Sequence, residues 1–118
     1  TFLATNPDLV CPVPFGYVPD CGSICQMITN ATGQVPHYIG KPSTDMVDIA
    51  LRENSFSKEE TVIVGDRFYT DIACGNASGV ETVLVLTGEA KKTDTMIHTY
   101  SPTYIFDSIK EVKKAWKN

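Results

Sequence analysis

Thr61-Val62-Ile63-Val64-Gly65-Asp66-Arg67-Phe68-Tyr69-Thr70-Asp71 decides the fold. Thr61 to Val64 is a continuous β-branched run, the pattern of a strand covered on both faces. Gly65 lets the chain turn sharply, and Tyr69 to Ser78 then reads as a helix stopped by Gly79. Glu81 to Leu86 is a second buried strand, and Thr103 to Phe106 a third, after a polar stretch with a short helix around Asp94 to His98. Ser108 is placed to cap a last helix ending at Trp116. Strands alternating with helices predict a parallel sheet joined by right-handed crossovers, with helices on both faces. The class is α/β, Rossmann-like.

Toward the amino terminus, Val35 to Ile39 is a short strand candidate, and Ser43 can cap a helix bearing Met46, Val47, Ile49, Ala50 and Leu51. Ile24, Met27, Ile28 and Ala31 recur at helical spacing between Asp20 and Thr32, and Gly33 follows as a stop. Pro7, Pro12, Pro14 and Pro19 crowd the segment before it, so Asn6 to Pro19 is expected to be a loop, entered by a short strand at Thr1 to Thr5.

Composition narrows the function classes. The 118 residues are 42% hydrophobic and 20% charged, enough for one globular core. No apolar run approaches the roughly 20 residues that cross a bilayer, and no signal segment opens the chain, so neither a membrane nor an export route is expected. Ten basic against fourteen acidic residues, a net charge of −4, disfavour a nucleic-acid partner. Cys11, Cys21, Cys25 and Cys74 contain no C-x-x-C pair and read as free thiols of a reducing, cytoplasmic protein.

In parallel sheets the ligand crevice lies beyond the carboxyl ends of the strands. Gly40-Lys41-Pro42, Gly65-Asp66-Arg67 and Thr87-Gly88 stand at those ends, which delivers a lysine and the carboxylates Asp66 and Asp71 to one edge of one sheet. Two carboxylates near one point suit Mg2+, which takes one or two protein carboxylates and accepts phosphate oxygens. The competing structural reading is that an aspartate before a helix caps it, and one in its first turn complements the helix dipole. Lys41 reads as a solvated loop lysine or as a compact ammonium beside a phosphoryl group.

Gly40-Lys41-Pro42, Val64-Gly65-Asp66 and Thr70-Asp71-Ile72 resemble the third and fourth motifs of haloacid dehalogenase (HAD) superfamily phosphatases. Thr5-Asn6-Pro7-Asp8 and Asp20-Cys21-Gly22-Ser23 resemble the NagD-like or p-nitrophenylphosphatase-like branch, whose members carry an α/β cap. The resemblance covers nearly the whole chain. It implies Lys41 as the phosphate-contacting lysine, Asp66 as a magnesium ligand, and Asp71 as the acid that orients the lysine or a metal-bound water and shares the metal site. It also implies a small phosphomonoester such as a sugar phosphate as substrate. Residues 1–35 would be the end of the cap, and 36–118 the second half of the core. The family's nucleophile lies in an Asp-x-Asp motif, which these 118 residues lack. The chain then reads as the carboxyl-terminal portion of an enzyme, inactive alone, with an unpaired sheet edge that invites self-association. A rival reading is a non-catalytic phosphate- or metal-binding α/β module.

Asn6 and Asp8 bracket Pro7, which suggests an Asx-type turn, while the resemblance makes Asn6 a substrate-binding residue and puts Leu9 to Pro14 near the leaving group. Arg67 is either an exposed turn arginine or a substrate contact, and Phe68 and Tyr69 read as packing at a helix start. His37 and His98 have no partner at triad or metal spacing. Lys110, Lys113, Lys114 and Lys117 form the solvated face of a helix that packs through Ile109, Val112 and Trp116.

Overall fold

A three-stranded parallel sheet holds the centre of the molecule. The computed structural model of the chain describes residues 1–116; Lys117 lies outside them. The strands are β1 (Leu3–Ala4), β2 (Val10–Val13), β3 (Gly16–Pro19), β4 (His37–Tyr38), β5 (Val62–Gly65), β6 (Glu81–Val85) and β7 (Tyr104–Phe106). The helices are α1 (Cys21–Thr32), α2 (Asp45–Asn54), α3 (Ala73–Ser78), α4 (Met96–Tyr100) and α5 (Ile109–Ala115). A π-helical turn, Phe68–Ile72, runs directly into α3. The fold is α/β.

The sheet order is β5-β6-β7, with Val64 opposite Val83 and Val83 opposite Tyr104. Successive residues of β6 therefore face opposite layers. Leu84 packs against Phe68, Ile72 and Ala90 on one face, with Tyr100 and Ile97 beside them. Val83 and Val85 pack against Val112 of α5 on the other, with Val62 and Phe106. Both faces of β6 are thus covered, as its apolar run predicts, whereas the expectation fails for the edge strand β5, where Val64 is 41% exposed. Thr82, fully buried, satisfies its hydroxyl by accepting from the Thr103 N–H, while its own N–H donates to the Thr103 hydroxyl, both at 3.0 Å. That reciprocal pair starts β7 in register, and the Thr82 methyl packs where a side chain at Gly75 of α3 would have to sit.

The boundaries expected from Gly33 and Gly79 hold, since both end their helices in the left-handed region, at φ 72° and 70°. Five expectations need correction. The proline-rich segment is not all loop: β2 and β3 form an antiparallel hairpin with Pro12 opposite Tyr17 and Val10 opposite Pro19. A two-stranded ribbon has only edge strands, where a proline without N–H is tolerated. The strand before Lys41 does not join the main sheet, because β4 pairs in parallel with β1, the His37 and Ile39 N–H groups donating to Phe2 and Ala4. Thr44, not Ser43, occupies the cap position of α2, although the Ser43 hydroxyl accepts from the Asp45 N–H at 3.3 Å. The expected helix from Tyr69 opens as a π turn, and the short helix expected around 94–98 lies at 96–100.

Candidate functional site

A cleft of about 370 Å³ opens where β1, β4 and β5 end, lined by Thr5, Asn6, Asp8, Gly40, Lys41, Met46, Asp66, Arg67, Thr70 and Asp71. Five of the residues singled out in the sequence, Asn6, Lys41, Asp66, Arg67 and Asp71, meet there. They arrive from two sheets rather than one, and the junction is tight: the Gly40 backbone lies so close to the Thr5 carbonyl that a Cβ could not be placed.

Asp71 is the fixed point of the site. It is 5% exposed, and Lys41 Nζ donates to its Oδ1 at 2.5 Å. Its Oδ2 accepts from the backbone N–H groups of Asp66, at 3.2 Å, and Arg67, at 3.1 Å. The π turn brings this about, since both Asp71 N–H and Ile72 N–H donate to the Arg67 carbonyl and the widened turn aims the carboxylate back at its own start. A side chain reaching back to the cap residue's N–H is a capping arrangement, so part of the structural reading of Asp71 holds. A cap alone would not draw in Lys41 from thirty residues away.

Asp66 is held differently. Its Oδ2 accepts from the Glu89 N–H at 2.8 Å, and its carbonyl accepts from the Ala90 N–H at 3.0 Å. It does not cap the helix that follows, whose cap position belongs to Arg67. Among the described residues no donor engages Oδ1. The Thr87-Gly88 turn makes the hold possible, because a side chain at Gly88 would occupy the space of the Asp66 carboxylate.

Arg67 lines the cleft but is engaged: its Nε sits 2.9 Å from Glu89 Oε2, which also accepts from the Tyr69 hydroxyl at 3.2 Å. Burial, reinforced by Glu89, pushes the Tyr69 hydroxyl pKa up. Asn6 forms the Asx turn, Oδ1 accepting from the Asp8 N–H at 3.0 Å, and borders the cleft at the same time. Glu89 was missed in the sequence; it stands one residue beyond the Thr87-Gly88 strand end, so reading that end one step further would have reached it. His37 has a partner after all, Asp45, at 2.7 Å. Ser43 and His37 hold the Asp45 carboxyl below its usual range, but the pair is exposed and outside the cleft.

No cluster of three or more His, Cys, Asp or Glu side chains poised for a metal occurs among the described residues. The oxygen donor set still fits a magnesium ion, because that ion needs only one or two carboxylates. Among the described residues, Asp66 carries an oxygen without a donor, whereas both oxygens of Asp71 are taken.

Residues 38–112 match the Hydrolase_like family model, described as HAD-hyrolase-like. The chain belongs to this family of HAD-like hydrolases. Within it, the chain is a member of the NagD-like and p-nitrophenylphosphatase-like branch. It is 39% identical over 115 residues to the dihydroxyacetone phosphatase of Corynebacterium glutamicum (strain R), covering 98% of this chain and 42% of that protein. It is 40% identical over 111 residues to the ribonucleotide monophosphatase NagD of Escherichia coli (strain K12), covering 94% and 43%. The p-nitrophenyl phosphatase from Archaeoglobus fulgidus superposes with a TM-score of 0.81 at 36% identity, covering 93% of this chain and 44% of that one. The chain thus spans less than half the length of these relatives.

Proposed function

We propose that the chain supplies the phosphate- and metal-holding half of a magnesium-dependent phosphatase acting on a small phosphorylated metabolite such as a sugar phosphate. The observation that carries this is the Lys41–Asp71 contact in the cleft that Asp66 also lines. Lys41 meets the phosphoryl group, its ammonium aimed by Asp71; with Asp71 occupied on both oxygens, its role is to orient Lys41 and the backbone of Asp66. Asp66 would hold the magnesium ion, which when bound neutralises charge on the phosphoryl oxygens. Arg67, released from Glu89, and Asn6 would contact the rest of the substrate. The similar proteins named above act on different phosphomonoesters, which supports the substrate class and not one member of it. We assign residues 1–35 to the end of a cap and 36–118 to the second half of the core. Four cysteines without a disulfide suit a reducing cytoplasm, and no helix among the described residues is long and apolar enough to cross a membrane.

One observation favours a second reading, a non-catalytic binding module: the 118 residues contain no Asp-x-Asp. Aspartyl-phosphate chemistry needs that aspartate. The 118-residue chain alone is expected to leave p-nitrophenyl phosphate intact in the presence of magnesium, and a longer form that supplies an Asp-x-Asp segment is expected to hydrolyse it. Turnover by the purified 118-residue chain that disappears in Asp66→Ala would overturn the first expectation. An inert longer form that still binds phosphate would favour the module.

β5 lies at one edge of its sheet, and Val64 on it is 41% exposed. Together with α2, which buries none of its residues, this edge supports self-association of the chain. Sedimentation velocity across a concentration series is expected to show dimers or larger species, and a monodisperse monomer throughout would contradict it.

A further inference from the structure

The proposed phosphatase site uses neither thiol of α1, yet these two are placed for chemistry. Cys21 opens the helix, Cys25 follows one turn later, and their Sγ atoms lie 3.9 Å apart. Cys25 is 4% exposed; Cys21 is half-buried and borders a surface pocket of about 320 Å³ with Leu3, Thr5, Ile24 and Ile39, so a small molecule can reach it. Hydrogen bonding from the Asn6 backbone, then from Thr5, pulls the Cys21 thiol down to about 7, whereas burial pushes Cys25 up. A thiol at a helix amino terminus is biased toward thiolate in the same sense. One sulfur is therefore reactive and its neighbour held in reserve.

We propose that Cys21 and Cys25 form a peroxide-responsive thiol pair whose closure to a disulfide distorts the first turn of α1 and, through it, the Asn6–Asp8 edge of the cleft. The Cys21 thiolate attacks the terminal oxygen of a hydroperoxide. An S–O bond forms, the O–O bond breaks, and the departing alkoxide or hydroxide takes up a proton, leaving Cys21 as the sulfenic acid. The Cys25 sulfur then attacks the Cys21 sulfur: the S–S bond forms, the S–O bond breaks, and hydroxide leaves with the Cys25 proton as water. Two thiols lose two electrons, and the hydroperoxide gains them.

Geometry makes this closure consequential. Helical residues four apart keep their Cβ atoms about 5–6 Å apart, whereas a disulfide needs them at about 3.5–4.5 Å. The backbone must give, and the first turn is the free end of the helix. That turn is stitched to the cleft edge: Gly22 N–H donates to the Asp8 carbonyl at 2.8 Å, the Ser23 hydroxyl to the Leu9 carbonyl at 2.6 Å, and Asp20 N–H to the same carbonyl at 3.1 Å. Gly22 is packed so closely on the Pro7 and Asp8 backbone that a Cβ would not fit. Any shift of the turn is passed on to Asn6 and Asp8, which line the cleft.

The test treats the reduced 118-residue chain with hydrogen peroxide, maps peptides without reduction, and repeats this for Cys21→Ser, Cys25→Ser, Cys11→Ser and Cys74→Ser. The expected product is an intrachain Cys21–Cys25 link, reversed by a dithiol and unchanged in the Cys11 and Cys74 variants. Cys25→Ser is expected to stall as a dimedone-trapped sulfenic acid at Cys21. In the reduced protein at pH 7, Cys21 is expected to alkylate at least about tenfold faster than Cys25. Amide hydrogen exchange over residues 5–9 is expected to rise about tenfold on oxidation. No link, a link through Cys11 or between chains, or a Cys21–Cys25 link with unchanged exchange at 5–9 would each overturn the proposal.

Discussion

Gly65→Ala is expected to destabilise this chain by about 3 kcal/mol, more than most substitutions to alanine outside a core. The backbone of Gly65 has no positive φ, so alanine meets no conformational penalty. What it lacks is room, because a Cβ there collides with the Asp71 side chain. Asp71 cannot step aside, being almost fully buried and fixed on both oxygens by Lys41 and two backbone N–H groups. Overpacking of that kind costs about 1–3 kcal/mol, and each hydrogen bond given up adds about 1 kcal/mol. Asp71→Asn keeps the volume and can still accept from the backbone, so its cost is expected to be smaller, about 1–2 kcal/mol; Lys41 is half-exposed and regains water when its partner changes. The collision can be isolated in a cycle. In an Asp71→Gly background the colliding Cβ and carboxyl atoms are both gone, and adding Gly65→Ala is then expected to cost less than about 0.5 kcal/mol, a strong departure from additivity. Urea unfolding of the three variants measures this, and a Gly65→Ala protein as stable as wild type would show that Asp71 is not fixed as described.

The parts of the fold legible in the sequence were those set by local physics. The β-branched run at Thr61 to Val64 does form a strand of the main sheet, though at its edge and with Val64 partly exposed, and Gly33 and Gly79 end helices because they accept left-handed backbone at low cost. Strand ends point to the site for a similar reason, and Lys41, Asp66 and Asp71 do converge on one cleft. What was not legible depends on pairing across distance. Nothing local says that β4 spends its N–H groups on β1, or that Pro12 and Pro19 sit in a ribbon lacking the second neighbour that would need their missing donors. The His37–Asp45 pair closes across the Gly40-Lys41-Pro42 turn, and Glu89 reaches Arg67 from the loop after β6; neither spacing carries a motif. The π turn was hidden for a subtler reason. Its residues have helical spacing, and the widening shows only in the hydrogen bonds of the folded turn, Ile72 N–H to the Arg67 carbonyl and the Asp66 and Arg67 N–H groups to the Asp71 carboxylate.

Asp66→Asn and Lys41→Ala are expected to separate stability from turnover in a longer form of the protein that supplies the Asp-x-Asp segment. At position 66 the Glu89 N–H is the one hydrogen-bond donor to the carboxylate among the described residues, and an amide oxygen accepts from it equally well. Folding is therefore expected to change by less than about 1 kcal/mol. The other position of the carboxylate becomes an NH2 group, which offers hydrogens where the proposed ion needs an oxygen lone pair. Turnover is expected to fall roughly 10²–10³-fold, as when one preorganised electrostatic contact to a transition state is removed, and raising the magnesium concentration should not restore it fully. Lys41→Ala behaves otherwise. It leaves the Asp66 carboxylate in place, so the magnesium activation curve keeps its midpoint, while turnover and inhibition by inorganic phosphate both weaken because the ammonium no longer faces the phosphoryl oxygens. It also leaves the buried Asp71 carboxylate with only its two backbone donors, so a stability loss of about 1–2 kcal/mol accompanies the kinetic one. Near-normal turnover in Asp66→Asn would reduce Asp66 to a bracket for the Thr87–Ala90 loop and remove the metal from the proposed site. A shifted magnesium midpoint in Lys41→Ala would instead mean that lysine and metal share one task, because a charge acting only on phosphate has no reason to move the affinity of a neighbouring carboxylate for its ion.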